Sequence, residues 1–564
     1  MPAAQAAADT LALQRLYHWE KTAPERIAFT QPQGGGVLRD YTWREALDQA
    51  RRMAAHLKAQ GIAPGDRVAL LSKNTVHWML SDYAIMIAGG VSVPLYPTLA
   101  PTTIRQILEH SGSKMLFVGK LDGWAGMKPG IPADMPCIAH PLAPDDAKKS
   151  YASWDDIIAK TAPLSGEPVR PADELATIIY TSGTTGMPKG VMHTFQSLAF
   201  AVQTGLTRIP INPDARLLSY LPLSHVVERA LVEHGQIGSG FRVYFADSLD
   251  TFTADMQRAR PTVFFSVPRL WVKFQHGILY KMPQKKLDLL LKLPIISGIV
   301  KKKIQTTLGL DQCQMAISGA APIPPDLLRW YARIGVLIAE GYGLTENCAL
   351  SHLTVPGQDI GTVGQTYKGV DCRIDPASGE ILVKSAATMT GYYLQPEATK
   401  ATFTSDGFLR TGDQGTIDAR GTLKITGRVK DLFKTSKGKY VAPSPIEDKL
   451  VMHEALEAVC VSGASLPQPL ALVMLNAESA AKAGTDAGRS ELEASLSEHL
   501  SRVNATLDPH EQLECLVVTR EAWTVDNDLI TPTFKVKRNK LDERFARLYE
   551  QWEASRRKVI WHNG

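Results

Sequence analysis

Cysteine is scarce in this 564-residue chain. Its six cysteines (Cys137, Cys313, Cys348, Cys372, Cys460 and Cys515) lie far apart, with no C-x-x-C pair. That spacing excludes a disulfide framework and a zinc site, and it fits reduced thiols in a cytoplasmic protein. Long apolar runs are also missing. The longest, residues 83–96, contains Gly-Gly and a proline and is too short to span a bilayer as a helix. Nor does one sign of charge dominate: 62 Lys and Arg face 57 Asp and Glu, a net of +5, which argues against bulk affinity for nucleic acid. The first 19 residues have no basic residue ahead of their Ala/Leu-rich part and make a poor signal peptide, and the last four, Trp561-His562-Asn563-Gly564, are no peroxisomal signal. Low complexity is confined to Gly34-Gly35-Gly36, which reads as a hairpin turn.

What the chain does have is a long loop of small, hydroxyl and glycine residues. The apolar run 175–180 reads as a buried strand, and Thr181, Ser182, Gly183, Thr184, Thr185, Gly186, Met187, Pro188 and Lys189 follow it. Glycine lets backbone N–H groups approach an anion closely, hydroxyls add donors, and the lysine adds a mobile positive charge. This inventory suits a polyphosphate. The spacing is not that of a Walker loop: two residues separate Gly183 from Gly186, and Lys189 comes three after Gly186.

The length exceeds what one hydrophobic core usually supports, so two or more domains are expected. Apolar runs at 68–71, 114–118, 177–180, 243–246, 262–266, 315–318 and 336–339 alternate with helix-length stretches such as 42–60. That alternation predicts βαβ units and a mainly parallel sheet with ligands at the carboxyl ends of its strands. From about Gly361 the texture changes to short runs (372–374, 380–384, 415–418, 422–426) between Gly and Asp turns, which read as a small antiparallel sheet or barrel. Beyond Gly427-Arg428-Val429-Lys430-Asp431, a capping box of Ser444 with Glu447 and Pro445 at the first helical position announce a helix. Strands at 458–462 and 470–475 then suggest a compact α+β unit. The boundary is placed at Lys430, giving domains 1–429 and 430–564.

Further segments sit after the expected strands. Ser318-Gly319-Ala320-Ala321-Pro322 offers small side chains and backbone donors, although a tight strand-to-helix turn explains it equally well. In Glu340-Gly341-Tyr342-Gly343-Leu344-Thr345-Glu346 an aromatic face could stack on a purine and a carboxylate could hold Mg²⁺; a turn with a core tyrosine is the plain alternative. Arg410-Thr411-Gly412-Asp413 ends in a carboxylate able to accept both ribose hydroxyls, with Arg428 a further donor, but alone it reads as a type I turn. The lysines of 531–538 alone read as solvated surface.

Taken together and in this order, these segments resemble the adenylate-forming superfamily of acyl-CoA synthetases, luciferases and peptide-synthetase adenylation domains. A narrower likeness is to long-chain fatty acyl-CoA synthetases, including the bubblegum-type branch. It is carried by residues 221–229 (LPLSHVVER), 260–271 (RPTVFFSVPRLW), 434–443 (KTSKGKYVAP) and 531–538 (TPTFKVKR). The resemblance implies an α/β fold: a large N-terminal domain with mainly parallel sheets and a small β-barrel, followed by a small mobile α+β lid. It implies ATP, Mg²⁺ and coenzyme A as cofactor and co-substrates, and a fatty acid activated first to acyl-AMP and then to acyl-CoA.

By the same resemblance, Thr181 to Lys189 hold the β- and γ-phosphates, and Gly319, Ala320, Ala321 and Gly343 bind the nucleotide. Tyr342 packs on adenine, and Asp413 and Arg428 hold the ribose. Thr345 touches the α-phosphate and Glu346 binds Mg²⁺. Lys535 bridges the carboxylate and the α-phosphate, with Lys537 its rival. Lys430 is the hinge, Lys437 and Gly438 meet coenzyme A together with Lys434 and Lys439, where a solvated basic turn explains each lysine equally well, and His225 lines the acyl site, where a core histidine is the competing reading. Val263, Phe264, Phe265 and Trp271 suit a lipid tunnel or a core. Residues 287–303, apolar between lysines and broken by Pro294, suit either a membrane-surface face or a buried helix, and burial is the stronger expectation. An aromatic-acid CoA ligase, a ligase loading a carrier protein and a non-catalytic adenylate sensor share these motifs.

Overall fold

A computed structural model describes residues 8–181, 188–525, 527–531 and 535–562. Its largest sheet has eight strands. Arg67–Leu71 lies between Val91–Leu95 and Met115–Val118, all parallel, with Cys137–Ala139 and Ala152–Ser153 continuing one edge. Val-Ala-Leu-Leu and Met-Leu-Phe-Val are continuous apolar runs because helices cover both faces. One cover is Val76–Ala88, buried along its whole length and capped by Thr75, whose side chain accepts from Trp78 N.

On the other edge, Leu175–Thr181 joins Val91–Leu95 in parallel and then pairs antiparallel with Lys189–Thr194. The register sets Thr181 opposite Lys189. Ser182, Gly183, Thr184, Thr185 and Gly186, singled out in the sequence, lie outside the described residues.

A second sheet runs parallel through Val263–Ser266, Met315–Ser318 and Ile338–Tyr342, then adds two short antiparallel strands. The third strand starts two residues later than the apolar run at 336 suggests. A third sheet carries the hairpin Ile27–Gly34 and Val37–Thr42, where Gly34, Gly35 and Gly36 all have positive φ, as the glycine triplet predicts.

Beyond residue 361, Asp371–Ile374, Glu380–Lys384, Leu409–Ile417 and Leu423–Arg428 form a four-stranded antiparallel sheet. No pairing among the described residues joins its first and last strands into a barrel. The remainder of the chain builds a four-stranded sheet of its own, flanked by Asp486–Asn504 and Arg538–Ala554. The fully buried members of its two apolar clusters all come from residue 441 onward.

Two expectations need correction, and one open choice is decided. The helix expected at Pro445 starts at Pro443, after Ala442, with no side-chain cap. Glu447 is drawn away from a capping role because its carboxylate accepts from Val461 N and pairs with Arg538 at 2.8 Å. Val263, Phe264 and Trp271 are core rather than tunnel, each with 1% or less of its surface exposed. Residues 287–303 are not a buried helix. They fall in two helices, Gln284–Leu291 and Pro294–Leu308, separated at Pro294, and Ile295 (82% exposed), Ile299 (64%) and Leu289 (62%) face solvent.

Candidate active site

The carboxyl ends of the parallel strands converge on a cleft, where a cavity of about 110 Å³ begins. Its floor is Gly319, Ala320, Gly341, Tyr342 and Gly343, at the ends of Met315–Ser318 and Ile338–Tyr342. A Cβ at Gly343 would come within 2.6 Å of the Ala349 backbone, so the chain can fold back on itself there only as glycine. Ala320 has φ of +66°. Ala321 is exposed beside it and does not line the cavity.

From this floor the cavity runs inward between Phe195–Leu206 and the π-helical turn Arg229–His234. Its walls there are Ala201, Val202, Gly205, Ala230 and Leu231, and Phe265 alone of the four expected tunnel residues joins them. Buried Arg229 bonds Asp82 at 3.0 Å on the far side of the π-turn and anchors it. Wide turns of this kind are often found at functional sites.

The polar end is cross-linked. Asp413 and Arg428 are register partners on adjacent antiparallel strands, and the guanidinium Nε donates to Asp413 Oδ1 at 2.9 Å. The Tyr342 hydroxyl donates to Asp413 Oδ2 at 2.7 Å. Burial, and then the Asp413 charge, push that hydroxyl's pKa well above the usual tyrosine range. The segment Arg410 to Asp413 lies inside the strand Leu409–Ile417 rather than in a free turn, and Glu380 holds it by accepting from Gly412 N at 2.9 Å and Arg410 at 3.1 Å.

Thr345 and Glu346 occupy a single 3₁₀ turn, Thr345–Asn347. The next two residues, Cys348 and Ala349, are both left-handed at φ of +52° and +57°. Such conformations cost roughly 1–3 kcal/mol each in non-glycine residues and persist where surrounding contacts over-determine them. Tyr392 donates to Glu346 Oε1 at 2.8 Å, Met389 N donates to the Glu346 carbonyl at 2.8 Å, and the Lys189 ammonium lies 4.8 Å from the centre of the Tyr392 ring. Tyr392 thus touches two of the expected site residues at once. The sequence reading passed over it, although it follows a glycine just before the Pro-Glu-Ala-Thr that opens a helix.

Lys535 faces the same space. Surrounding protein lowers its ammonium pKa even though the side chain keeps contact with solvent; Arg428 lowers it further, while Asp413 and Glu346 act in the opposite direction. Its rival Lys537 is ion-paired to Asp528. His225 caps the short helix Val226–Glu228 through Nδ1, and burial, then the Lys535 charge, lower its pKa to about 4, so it is neutral near pH 7.

Three expected residues stay outside this cluster. Lys430 sits on an exposed turn after Leu423–Arg428. Lys437 and Gly438 belong to an exposed hairpin, where Lys437 bonds Gln468 at 3.3 Å and Gly438 has φ of +76°.

Comparison with known proteins places this geometry. Residues 16–393 match the model of the AMP-binding enzyme family, and residues 430–553 match that of the AMP-binding enzyme C-terminal domain. The chain is 31% identical to a Mycobacterium bovis protein named long-chain-fatty-acid–CoA ligase FadD15, over 94% of this chain and 95% of that one. It is 30% identical to rat long-chain-fatty-acid–CoA ligase 5, over 91% and 85%. Among solved structures, the adenylation domain of a Segniliparus rugosus carboxylic acid reductase, with AMP and a co-purified carboxylic acid, superposes with a TM-score of 0.80 at 23% identity, covering 98% of this chain and 95% of that one. ATP-bound MatB from Rhodopseudomonas palustris gives 0.72 at 25% identity, covering 96% and 99%.

Proposed function

The chain belongs to the family of AMP-binding enzymes, and from that premise we propose that it activates a fatty acid to acyl-AMP and then transfers the acyl group to coenzyme A. The relatives named long-chain-fatty-acid–CoA ligase support this reading. The observation that carries it is a cavity with small apolar side chains along its inner walls and Tyr342 in its floor, the tyrosine bonded to Asp413, which in turn acts on the Lys535 charge together with Glu346.

In the first step a carboxylate oxygen bonds to the α-phosphorus of ATP as the bond to pyrophosphate breaks. Two anions meet, so the barrier is largely electrostatic and positional. Lys535 supplies the neutralising charge between them. Thr181 and Lys189, at the two ends of the loop, take the outer phosphates together with the loop residues; Thr345 takes the α-phosphate, Asp413 and Arg428 the ribose, and Tyr342 the base. In the second step a thiol sulfur bonds to the acyl carbon, AMP leaves and the thiol proton passes to solvent. Lys535 then stands in the way of the thiol, so the unit from Lys430 onward must turn about that residue, bringing Lys437 and Gly438 toward coenzyme A.

Glu346 suits Mg²⁺. Its carboxylate takes part in no ion pair among the described residues, and one of its oxygens is oriented by Tyr392. A bound Mg²⁺ would neutralise the phosphates.

The helices of residues 280–308 fit an anionic lipid surface. Tyr280, Leu289, Leu293, Ile295, Ile296 and Ile299 are exposed there. Seven lysines surround them, and the one acid, Asp288, is paired with Arg333. No helix among the described residues is long and apolar enough to cross a membrane, so the contact is peripheral. Co-sedimentation with phosphatidylcholine vesicles containing phosphatidylglycerol should retain the protein, and Ile295→Glu with Ile299→Glu should release it. Equal binding of the double variant would remove this surface from the account.

The whole reading is tested by thioester formation with coenzyme A and palmitate, octanoate or benzoate. Turnover of both fatty acids, with palmitate preferred, is expected. Turnover of benzoate alone would overturn the substrate class.

A further inference from the structure

His193 lies four residues beyond Lys189 on the strand Lys189–Thr194, fully buried and opposite Thr177 in the central sheet. Its Nε2 is 2.7 Å from the Thr345 carbonyl oxygen. A carbonyl can only accept, so Nε2 carries the hydrogen. Burial, with the Arg229 charge also acting, lowers the ring's pKa to about 4, against the pull of the Thr345 bond, so the ring is neutral and Nδ1 is bare.

Two hydroxyl or thiol groups face Nδ1: Ser197 Oγ at 3.2 Å and Cys348 Sγ at 3.1 Å. The Ser197 hydroxyl has a shorter bond available to the Thr194 carbonyl at 3.0 Å. Burial pushes the Cys348 thiol up to about 12, so it keeps its proton, and its Sγ, also 3.8 Å from Nε2, packs against the side of the ring rather than in line with the bare nitrogen. The imidazole therefore holds the turn Thr345–Asn347 by the carbonyl of its first residue and packs against the thiol of the residue that follows it. That second residue is the first of the two left-handed positions, and its neighbourhood forms the cavity wall.

We propose that His193 is a positioning residue for adenylation: its Nε2–H holds the strained 343–349 segment so that the Thr345 hydroxyl and the Glu346 carboxylate meet the nucleotide. The inference rests on the reading of the site as adenylate-forming. The strand that begins at Lys189, on the phosphate side, is thereby rigidly tied to the turn on the nucleotide's other side.

Three substitutions test it. His193→Gln keeps an N–H near the Nε2 position, His193→Asn puts its amide near the Nδ1 position, and His193→Phe keeps the ring and removes both contacts. Fatty-acid-dependent ATP–pyrophosphate exchange should keep its kcat within about threefold in the Gln variant. It should fall about tenfold or more in the Asn and Phe variants, as expected when a buried carbonyl loses its donor. KM for the fatty acid should stay within about twofold, since no apolar wall is removed. Thioester formation from supplied acyl-adenylate should be unchanged. Full activity in the Phe variant, loss in Gln equal to that in Phe, or equal loss in both half-reactions would each overturn the proposal. If the Phe variant does not fold, the Gln and Asn pair decides the matter. Absence of exchange in the unsubstituted protein would overturn the functional reading instead; the rise in melting temperature on adding ATP, kept in Gln and lost in Asn, would still report on His193.

Discussion

At the polar end of the site Asp413, Glu346 and Thr345 are each held by a neighbouring side chain, whereas the inner end of the cavity is walled by alanine, valine, leucine and glycine. Asp413 is held by Arg428 and Tyr342, Glu346 by Tyr392, and Thr345 by His193. Nothing comparable fixes Val202, Gly205 or Ala230. The contrast follows from the chemistry. Charge developing in a transition state is stabilised by groups already in place. An alkyl chain demands only the exclusion of water, which many side chains supply equally well. Substitutions at the polar end should therefore act on rate in one half-reaction, and those at the inner end on which acid is accepted.

The largest expected effect is at Lys535. Lys535→Ala should reduce acyl-adenylate formation by roughly a hundredfold or more, as loss of a preorganised charge does. Thioester formation from supplied acyl-adenylate should survive, and Lys537→Ala should change neither step. Equal loss of both half-reactions in the Lys535 variant, measured by pyrophosphate exchange and by thioester yield, would break the division of labour.

Next comes Gly205, in the helix Phe195–Leu206. A Cβ built there meets nothing within 4 Å. Gly205→Leu should extend into the inner cavity without harming the helix, since leucine is the better helix former. Palmitate should lose about tenfold in kcat/KM relative to octanoate, the scale at which hydrophobic pockets discriminate by size. An unchanged ratio would mean that the acyl chain runs elsewhere.

How much of this was legible in the sequence differs between the two ends for the same reason. Lys189, Thr345 and Glu346 could be singled out because few residue types can do their work and strand-to-loop punctuation marks where they fall, whereas Asp413 and Lys535, which alone read as a turn and as solvated surface, were legible only through the family resemblance. The mainly parallel sheets follow from continuous apolar runs. The inner wall was not legible: Val263, Phe264 and Trp271 looked as suitable for a tunnel as the residues that line it, and only packing sorts core from cavity. Glu447 misled because its carboxylate bonds across the fold to Arg538 and Val461 N, which local capping rules do not foresee. The helices around Pro294 misled because an apolar run was taken to be covered. His193 and Tyr392 escaped because their partners lie 152 and 46 residues away.

The smallest effect concerns stability rather than rate and lies at the edge of the cleft. Burial raises the Glu340 pKa from its usual value near 4.5 to about 7, against the bond it accepts from Gly361 N. Between those two values the folded protein holds a proton that the unfolded chain has released, so this group's contribution to stability declines as pH rises from 4.5 to 7. Glu340→Gln should remove that decline, worth about 3 kcal/mol, and denaturant midpoints across this pH window would show it. Parallel curves for the two proteins would mean that Glu340 is ionised throughout.

The most direct measurement is ATP–pyrophosphate exchange with a fatty acid and Mg²⁺ but without coenzyme A. Exchange of labelled pyrophosphate into ATP that requires the fatty acid is the predicted result, because acyl-AMP forms before any thiol is present. Exchange that appears only when coenzyme A is added, or with no fatty acid of any length, would contradict the account.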